Sequence, residues 1–420
     1  MKISRKVLLK IISSRIKQKY GAEMAEEQAG FVERNGTREQ IVNIRNIIEK
    51  CRDHNTPLYM CFIDYAKAFD CVSHRKLWMT MKQMGFPTHL TQLMAALYEK
   101  QESAVRTSDG DSNWFKIKRG VRQGCVMSPP MYNIYAENIM REVLEDHEGG
   151  INIGGTKTTN LRFADDTTLL CNSKDELLNL LKRVKDISKT NHLLLNTKKT
   201  KVMVVDKNRK EGDDFIVDGE KIEEVESFIY LGSVINIKGS STQETRRRLA
   251  IARGTVQKMV TVWKSRGMSL GLKKRLLQAT AFSIATYGCE SWAMTMADKK
   301  RVDAFEQWCY RRLLRVSWTE KRTNEWVLNR IGSGLILRKG MTKRKLRLFG
   351  HIMRKEGLEQ RLAQGVIEGR RRRGRPAVSW CQDIKDWTGL SMAEAYHLTA
   401  DRTGWREVVA VTAALPAPPD

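Results

Sequence analysis

Long apolar runs are missing: nowhere in the 420 residues does the chain sustain the roughly 18 uninterrupted apolar positions of a membrane-spanning helix, so no membrane partner is expected. The eight cysteines, at 51, 61, 71, 125, 171, 289, 309 and 381, contain no C-x-x-C pair, which argues against both a disulfide framework and a zinc finger. Cys289, Cys309, His351 and Cys381 are too widely spaced for a compact zinc knuckle, and no zinc is expected. The opening MKISRKVLLKIISSRIKQKY lacks the unbroken apolar core of a secretion signal; Leu8, Ile12 and Ile16, with Lys10 between them, suit an amphipathic helix instead. An intracellular protein with reduced thiols follows. No internal repeat is visible. Acids are also short: 48 against 74 Lys and Arg leave a net charge of +26, and such a field attracts polyanions, nucleic acid foremost.

The length allows two or three domains. Up to about residue 150 the signals are mostly helical with short strands inserted. Met60 to Ile63 is a compact apolar run suited to a buried strand, and Arg75 to Met84 reads as a helix stopped by Gly85, with Pro87 beyond. Ser128 followed by Pro129 predicts an N-cap and first turn for a helix running toward Glu145, its amides pointing back at GVRQGC, 120 to 125. From 151 to 236 strands dominate: NLRFADDTTLL (160 to 170), KVMVV (201 to 205), a turn at Asp218-Gly219 and FIYLGSVI (228 to 235), interrupted by a helix over about Lys174 to Lys189. Beyond 240 the pattern is helical and basic, with ten Lys or Arg against one acid between Ser241 and Arg275. GRRRRGRPAV, 369 to 378, reads as a linker before a last helical piece around Trp380 to Val411.

Asp165 and Asp166 stand together in NLRFADDTTLL, between two apolar strand-like runs. Taken alone the pair is equally a solvated hairpin turn, where Asp bonds its own backbone. CFIDYAKAFD, 61 to 70, changes the weighing, because Asp64 also follows a buried-type strand. Carboxylates brought together by neighbouring strands raise each other's pKa unless a multivalent cation sits between them. Oxygen-only ligands suit Mg²⁺, and two such ions about 3.5 to 4 Å apart activate a hydroxyl and stabilise a leaving pyrophosphate. Nucleotidyl transfer explains the acids and the basic remainder together.

EEQAGF (26 to 31), FIDYAKAFD (62 to 70), GVRQGCVMSPPMYNIYAE (120 to 137), FADD (163 to 166), LNTKKTK (195 to 201) and FIYLGSVI (228 to 235) occur in the order and at about the spacing found in one family. The chain resembles the reverse transcriptases of non-LTR (LINE-type) retrotransposons, most of all the RTE-like group, over roughly residues 3 to 240. The resemblance implies an α+β right-hand polymerase with an antiparallel-sheet palm, partial helical fingers, a helical thumb and a basic α-helical C-terminal region. The implied boundaries are 1–58 for the fingers, 59–236 for the palm with inserted fingers elements, 237–330 for the thumb-like region and 331–420 for the C-terminal region.

The resemblance also implies roles. Asp64 and Asp165 would hold two Mg²⁺ ions, with Mn²⁺ as the alternative, the Tyr65 carbonyl as a further ligand and Asp166 in support. Phe69 would reject a ribose 2′-hydroxyl, and Arg122, Gln123 and Gly124 would lie against the incoming nucleotide. Lys199 would protonate the pyrophosphate, although Lys198 and Lys201 are equally basic neighbours and a solvated lysine is the plainer reading. Tyr230, Leu231 and Gly232 would grip the primer end, unless that hairpin is ordinary core. Expected partners are an RNA template, a DNA primer or target DNA and dNTPs, and expected localisation is nuclear after cytoplasmic synthesis.

Three motifs have plainer explanations. Asp70 reads as a helix-start acid before the 75 to 84 helix. Trp308 reads as core on an amphipathic helix with Phe305, Leu313 and Trp318, in preference to a base-stacking platform. RGRP in the run Arg370 to Pro376 resembles a minor-groove arm, but a basic linker or import patch is the simpler account.

Against the family pattern, these residues start inside the first fingers motif with no endonuclease of the kind that usually precedes the polymerase, so an N-terminal truncation is expected. The Arg-Pro-Ile-Ser-Leu type segment is missing, and EEQAGFVERNGTREQ replaces the commoner continuation. Two other readings therefore stand beside the polymerase. One is a catalytically impaired remnant that binds nucleic acid. The other is a group II intron maturase-like protein, disfavoured because Phe163 stands where such proteins carry Tyr.

Overall fold

The computed structural model describes residues 3–207, 214–367, 369 and 378–414; the RGRP run lies outside them. The contacts divide the chain into two compact units: Met1–Gln40, His54–Glu226 and Ile367–Arg370 in the first, and Ile41–Asp53, Ser227–Val366 and Arg371–Asp420 in the second.

The first unit is built on a sheet. Helices α1 (Ile3–Glu23) and α2 (Thr37–His54, whose middle is counted with the second unit) precede strand β1 (Leu58–Ile63). The one-turn α3 (Ala68–Cys71), then α4 (His74–Gln83), α5 (Thr88–Tyr98) and α6 (Ser128–Leu144) follow. Next come β2 (Asn160–Phe163), β3 (Asp166–Cys171), α7 (Lys174–Thr190), β4 (Lys201–Val205), β5 (Phe215–Val217) and β6 (Glu220–Glu224). The six-stranded order is β5-β6-β4-β1-β3-β2. It is antiparallel except for β4 beside β6, which are parallel, so the expected antiparallel sheet is mixed at one edge.

β1 lies between two strands and is buried along its whole length, which is why its sequence, LYMCFI, is apolar without alternation. Tyr59, Cys61 and Ile63 join a core with Leu169, Cys171, Val202 and Val204 of the sheet and Leu177, Leu180 and Val184 of α7. Each fully buried aliphatic side chain there contributes about 1.5–3 kcal/mol. Local signals fix the helix ends. Ser73 and Ser173 cap α4 and α7 by accepting from the Lys76 and Glu176 amides. Asp218 (φ 51°) and Gly219 (φ 79°) supply the left-handed pair that a two-residue hairpin needs between β5 and β6.

Three local expectations are corrected. The buried face of α1 is Leu9, Ile12, Ile16 and Tyr20, while Leu8 is exposed; the i, i+3, i+7, i+11 stripe runs through Leu9. Ser128 lies inside α6, and its hydroxyl donates to the Arg122 carbonyl at 2.6 Å, tying helix to loop where a cap was expected. Asp70 sits exposed within α3, and the start of α4 is capped by Ser73.

The second unit is helical apart from the hairpin β7 (Ser227–Tyr230) and β8 (Ser233–Asn236). Its principal helices are α8 (Thr242–Lys258), α9 (Met296–Leu314), α10 (Leu337–Met353), α11 (Trp380–Thr388), α12 (Met392–Ala400) and α13 (Arg402–Ala414). Residues 227–366 fall in this one unit, and buried polar bonds cross residue 330. Lys345, 1% exposed, donates to the Trp292 carbonyl at 2.9 Å and pairs with Asp383 at 2.7 Å, and the Trp380 indole donates to the Glu290 carbonyl at 2.7 Å. Trp308 is half-buried and flanked by the guanidinium groups of Arg253 and Arg312, 4.9 and 5.4 Å from its ring. α9 ends at Leu314, so Trp318 is not on its face; the Trp318 side chain is outside the described residues.

Candidate active site

Three carboxylates converge at one end of the sheet because of register. β1 pairs with β3 through Ile63↔Thr167, and continuing that register by one residue sets Asp64 level with Asp166. On its other side β1 pairs with β4 through Phe62↔Lys201, and the turn that leads into β4 carries Lys199. β2 and β3 form a tight hairpin closed by Phe163↔Asp166, with Ala164 and Asp165 as its two turn residues. The motif is therefore a hairpin turn, as the plainer reading had it, and the turn also delivers acids to the strand beside Asp64.

That turn is strained and clamped. Ala164 has φ 59°, the left-handed region that costs a residue with a Cβ about 1–2 kcal/mol. Gln28, 1% exposed, meets it with its side-chain amide: Oε1 accepts from the Ala164 amide at 2.9 Å and the Gly30 amide at 2.8 Å, and Nε2 donates to the Ala164 carbonyl at 3.4 Å. Residues 27–29 run beside β2, with the Ala29 amide donating to the Arg162 carbonyl and the Arg162 amide to the Glu27 carbonyl, each at 2.9 Å. Gln40 Nε2 donates to the Glu27 and Arg162 carbonyls at 2.7 and 3.1 Å, and Asn133 Nδ2 holds the Gly30 carbonyl at 2.6 Å. Gly30 has no alternative here, since a Cβ would stand 2.2 Å from the Ala164 nitrogen. Beneath the hairpin Arg162 and Glu137 form an ion pair at 3.0 Å, both nearly inaccessible. EEQAGF thus positions the Asp165–Asp166 turn, a role that sequence reading missed; its only signal was a Gln and a Gly in a motif without an assigned task.

Electrostatics mark the acids as mutually repelling. Desolvation, with Asp64 adding its charge, raises the Asp165 carboxyl, and desolvation with Asp165 and Asp64 pushes Asp166 up to about 6, although that side chain is open to solvent on one side. Lys199 Nζ stands 3.9 Å from Asp64 Oδ2. Of its basic neighbours Lys201 is engaged elsewhere, its Nζ donating to the Lys198 carbonyl at 2.6 Å and pairing with Glu223 at 2.8 Å. A turn positions Lys199, whose amide donates to the Asn196 carbonyl at 3.1 Å, while the Asn196 amide donates to the Asp64 carbonyl at 2.8 Å. The bonds of the Tyr65–Leu195 bridge use the Asp64 and Leu194 carbonyls and leave that of Tyr65 out.

Phe69 stacks on Tyr132 with centroids 4.6 Å apart and planes 16° from parallel. Tyr132 is fully buried and within the field of Asp165 and Asp166. The Phe69 carbonyl accepts from the Val121 amide at 2.8 Å, joining the 120–124 loop to α3. Arg122, Gln123 and Gly124 edge a small apolar cavity of about 100 Å³ with Met94 and Tyr98. Gln123 and Gly124 are exposed, and Arg122 lies 6.0 Å over the Tyr98 ring.

Tyr230, Leu231 and Gly232 belong to the second unit. Tyr230 is 2% exposed, so the hairpin tip offers Leu231 and Gly232, at φ 45° and 77°. Tyr287 Oη donates to the Leu231 carbonyl at 2.8 Å, and Arg247 reaches the Gly232 carbonyl at 3.3 Å.

The donor set at the sheet is three carboxylates, all oxygen, and its repulsion is of the kind a divalent cation relieves; hard cations fit it better than soft ones. Among the described residues no three His, Cys, Asp or Glu side chains are already drawn into a coordination shell.

Residues 1–235 match the family model described as reverse transcriptase (RNA-dependent DNA polymerase). The chain belongs to the reverse transcriptase family. Members of this family use divalent metal ions, in keeping with the oxygen donors of the site. Among curated relatives, a Pol polyprotein from the type-1 retrotransposable element R2 of Nasonia vitripennis is 27% identical over 157 residues, covering 37% of this chain and 15% of that protein. A transposon-derived protein of Caenorhabditis elegans is 26% identical over 281 residues, 61% of this chain and 97% of the relative. The solved telomerase of Candida albicans aligns over 76% of this chain and 56% of its own with a TM-score of 0.43 and 11% identity. The chain spans between 15 and 27% of the length of the first three curated relatives it matches. The right-hand polymerase reading of this reverse transcriptase rests on the family match and on the sheet that carries the acids.

Proposed function

We propose that this chain is the RNA-directed DNA polymerase of a non-LTR retrotransposon, extending a DNA 3′-hydroxyl on an RNA template with dNTPs. The observation that carries the proposal is the delivery of Asp64 and the Asp165–Asp166 turn to one end of adjacent antiparallel strands, beside Lys199. Asp64 and Asp165, with the Tyr65 carbonyl and support from Asp166, are the residues that would hold two Mg²⁺ ions. Such ions supply an activated hydroxyl and charge compensation at the departing pyrophosphate. Lys199, whose Nζ faces Asp64, carries the proton for that leaving group. Phe69, fixed on Tyr132, presents a rigid edge that bars a 2′-hydroxyl. Arg122, Gln123 and Gly124 border the nucleotide, and the Leu231–Gly232 tip with Tyr230 behind it supports the primer. In this reading the sheet unit is palm with fingers elements and the helical unit contains the thumb; nuclear action is part of the same proposal.

Primer extension on poly(rA)·oligo(dT) with dTTP and Mg²⁺ tests it, with Mn²⁺ as a parallel arm. Asp165→Ala is expected to lower extension by about 10³-fold or more, the scale of removing a transition-state electrostatic partner, while RNA binding persists. No extension by the unmutated chain with either ion, alongside retained RNA binding, would leave a binding remnant in place of a polymerase. Phe69→Ala is expected to reduce the preference for dTTP over UTP by about tenfold or more; unchanged sugar selection removes Phe69 from that role.

A further inference from the structure

Helices α10 and α13 enclose a cleft of about 510 Å³ that the polymerase reading does not use. Lys343, Arg347, His351 and Arg354 line one wall, and Arg402 and Arg406 line the other. No Asp or Glu lines it among the described residues. The spacing is regular: 343, 347 and 351 are successive i, i+4 positions, with 354 three further on, and 402 and 406 repeat the step. At 1.5 Å rise per residue, the first row sets Lys343 and Arg347 about 6 Å apart and Arg354 about 16 Å from Lys343, with the His351 imidazole between.

Close helix approach builds the cleft. The Trp405 indole is buried on its floor and donates to the Leu346 carbonyl at 2.9 Å. Gly350 makes room for it, since a Cβ there would stand 2.3 Å from the indole nitrogen. The surrounding core is Phe349, Ile352, Trp380 and Val409, so the walls are fixed by packing and not by the charges. Arg354 donates to the Thr399 carbonyl at 2.9 Å. Desolvation, with Arg402 and Arg406 adding like charge, lowers its guanidinium pKa. Lys343, Arg347, Arg402 and Arg406 make no ion pair among the described residues, whereas Arg344 and Lys345, on the same helix, pair with Glu290 and Asp383 at 2.7 Å. Cations needed for packing are neutralised; those in the cleft are not.

We propose that this cleft binds the phosphodiester backbone of a nucleic-acid strand. A row about 16 Å long is too extended for one phosphate ion, and repeated charge along two walls matches a linear polyanion. A concave channel with its one large aromatic buried at the floor suits a threaded strand better than a lipid surface, which takes up exposed apolar side chains. The site goes beyond the polymerase proposal and does not require catalysis.

The test is the salt dependence of binding by the full chain to a 20-nucleotide RNA, the same sequence as single-stranded DNA and its duplex, read by fluorescence anisotropy. With about 0.7 counterions released per phosphate contact on a single strand, the triple variant Arg347→Gln, Arg402→Gln, Arg406→Gln is expected to flatten the log–log slope by about 2. If the curves converge near 1 M salt, affinity at about 0.15 M falls by roughly 50-fold. The corresponding triple Lys variant should restore the slope, because it keeps charge while changing shape. Loss on one nucleic-acid probe alone supports the site and identifies its strand type. Should the triple variant fail to fold, Ala410→Glu, an exposed cleft position, is expected to flatten the slope by itself. The proposal is overturned by three results: an unchanged slope and affinity within twofold on every nucleic-acid probe, equal loss in the Lys and Gln variants, or loss confined to vesicles of phosphatidylserine and phosphatidylcholine. An Asp165→Asn chain should bind with the unmutated slope, which separates this outcome from the fate of the polymerase reading.

Discussion

In the sheet unit Asp64, Asp165 and Asp166 crowd one end of adjacent strands, and in the helical unit Lys343, Arg347, Arg354, Arg402 and Arg406 line one cleft. Each is a cluster of one sign whose members raise each other's cost. The supports differ. The acids depend on a strained turn held by a buried side-chain amide from a distant segment, whereas the bases stand on ordinary helix positions, 343 and 347 on one helix and 402 and 406 on the other, with Arg354 at a helix end. A site whose charges must meet within a few ångströms needs backbone precision, while one that follows a polymer needs only repeat. Each cluster nevertheless depends on a glycine that permits a close approach, Gly30 against the Ala164 backbone and Gly350 against the Trp405 indole.

That comparison is most severely tested at Gly30. Gly30→Ala drives a methyl into main chain that has nowhere to retreat, and we expect about 3 kcal/mol or more of destabilisation with loss of extension, measured by urea unfolding and primer extension. Retained stability would show that the 26–31 segment is not the clamp described. Gln28→Ala comes next: it leaves the buried Ala164 and Gly30 amides without their acceptor, at about 1–3 kcal/mol for each group left unpaired. Gln28→Glu, keeping the acceptor, should recover most of the stability but add a fourth negative charge near the acids.

Gly350→Ala should cost less, about 1–3 kcal/mol, because its obstacle is a side chain that can shift. It is expected to weaken nucleic-acid binding while leaving the sheet acids untouched, and equal damage to extension and binding would erase the distinction between the two supports. The smallest effect concerns pH. Asp166, raised from an ordinary 3.8 to about 6, is more easily protonated in the folded chain, so its contribution to stability is fully present below about 3.8 and is lost as the pH rises through about 6. Without divalent cations, the melting temperature of the unmutated chain relative to Asp166→Asn should therefore decline across that window. Added Mg²⁺ should flatten the decline. A parallel pair of curves without Mg²⁺ would remove the repulsion from the account.

Strands with unbroken apolar runs, the helix stopped before Gly85 and the Asp-Gly hairpin were legible because their causes are local. Misreadings arose where neighbours intervened. Ser128 carries the composition of a cap but spends its hydroxyl on the Arg122 carbonyl, and Leu8 is displaced from the buried stripe by Leu9. Trp308 packs against the core beside Phe305 as expected, but two arginines also flank its ring. Lys199 and Lys201 are indistinguishable by type, and only their partners separate them.

The sequence by itself determined the chemistry on offer: an excess of 26 positive charges, three aspartates after strand-like runs, and motifs in the order of a reverse transcriptase. Composition and short-range pattern suffice for these because charge, hydropathy and turn preference belong to residues and their near neighbours. Tertiary structure alone decided that Asp64 stands between Asp166 and Lys199, that Gln28 reaches the Ala164 turn 136 residues away, and that two rows of bases face one cleft. Those facts depend on strand register and helix packing, which bring together residues that exert no detectable influence on one another along the chain.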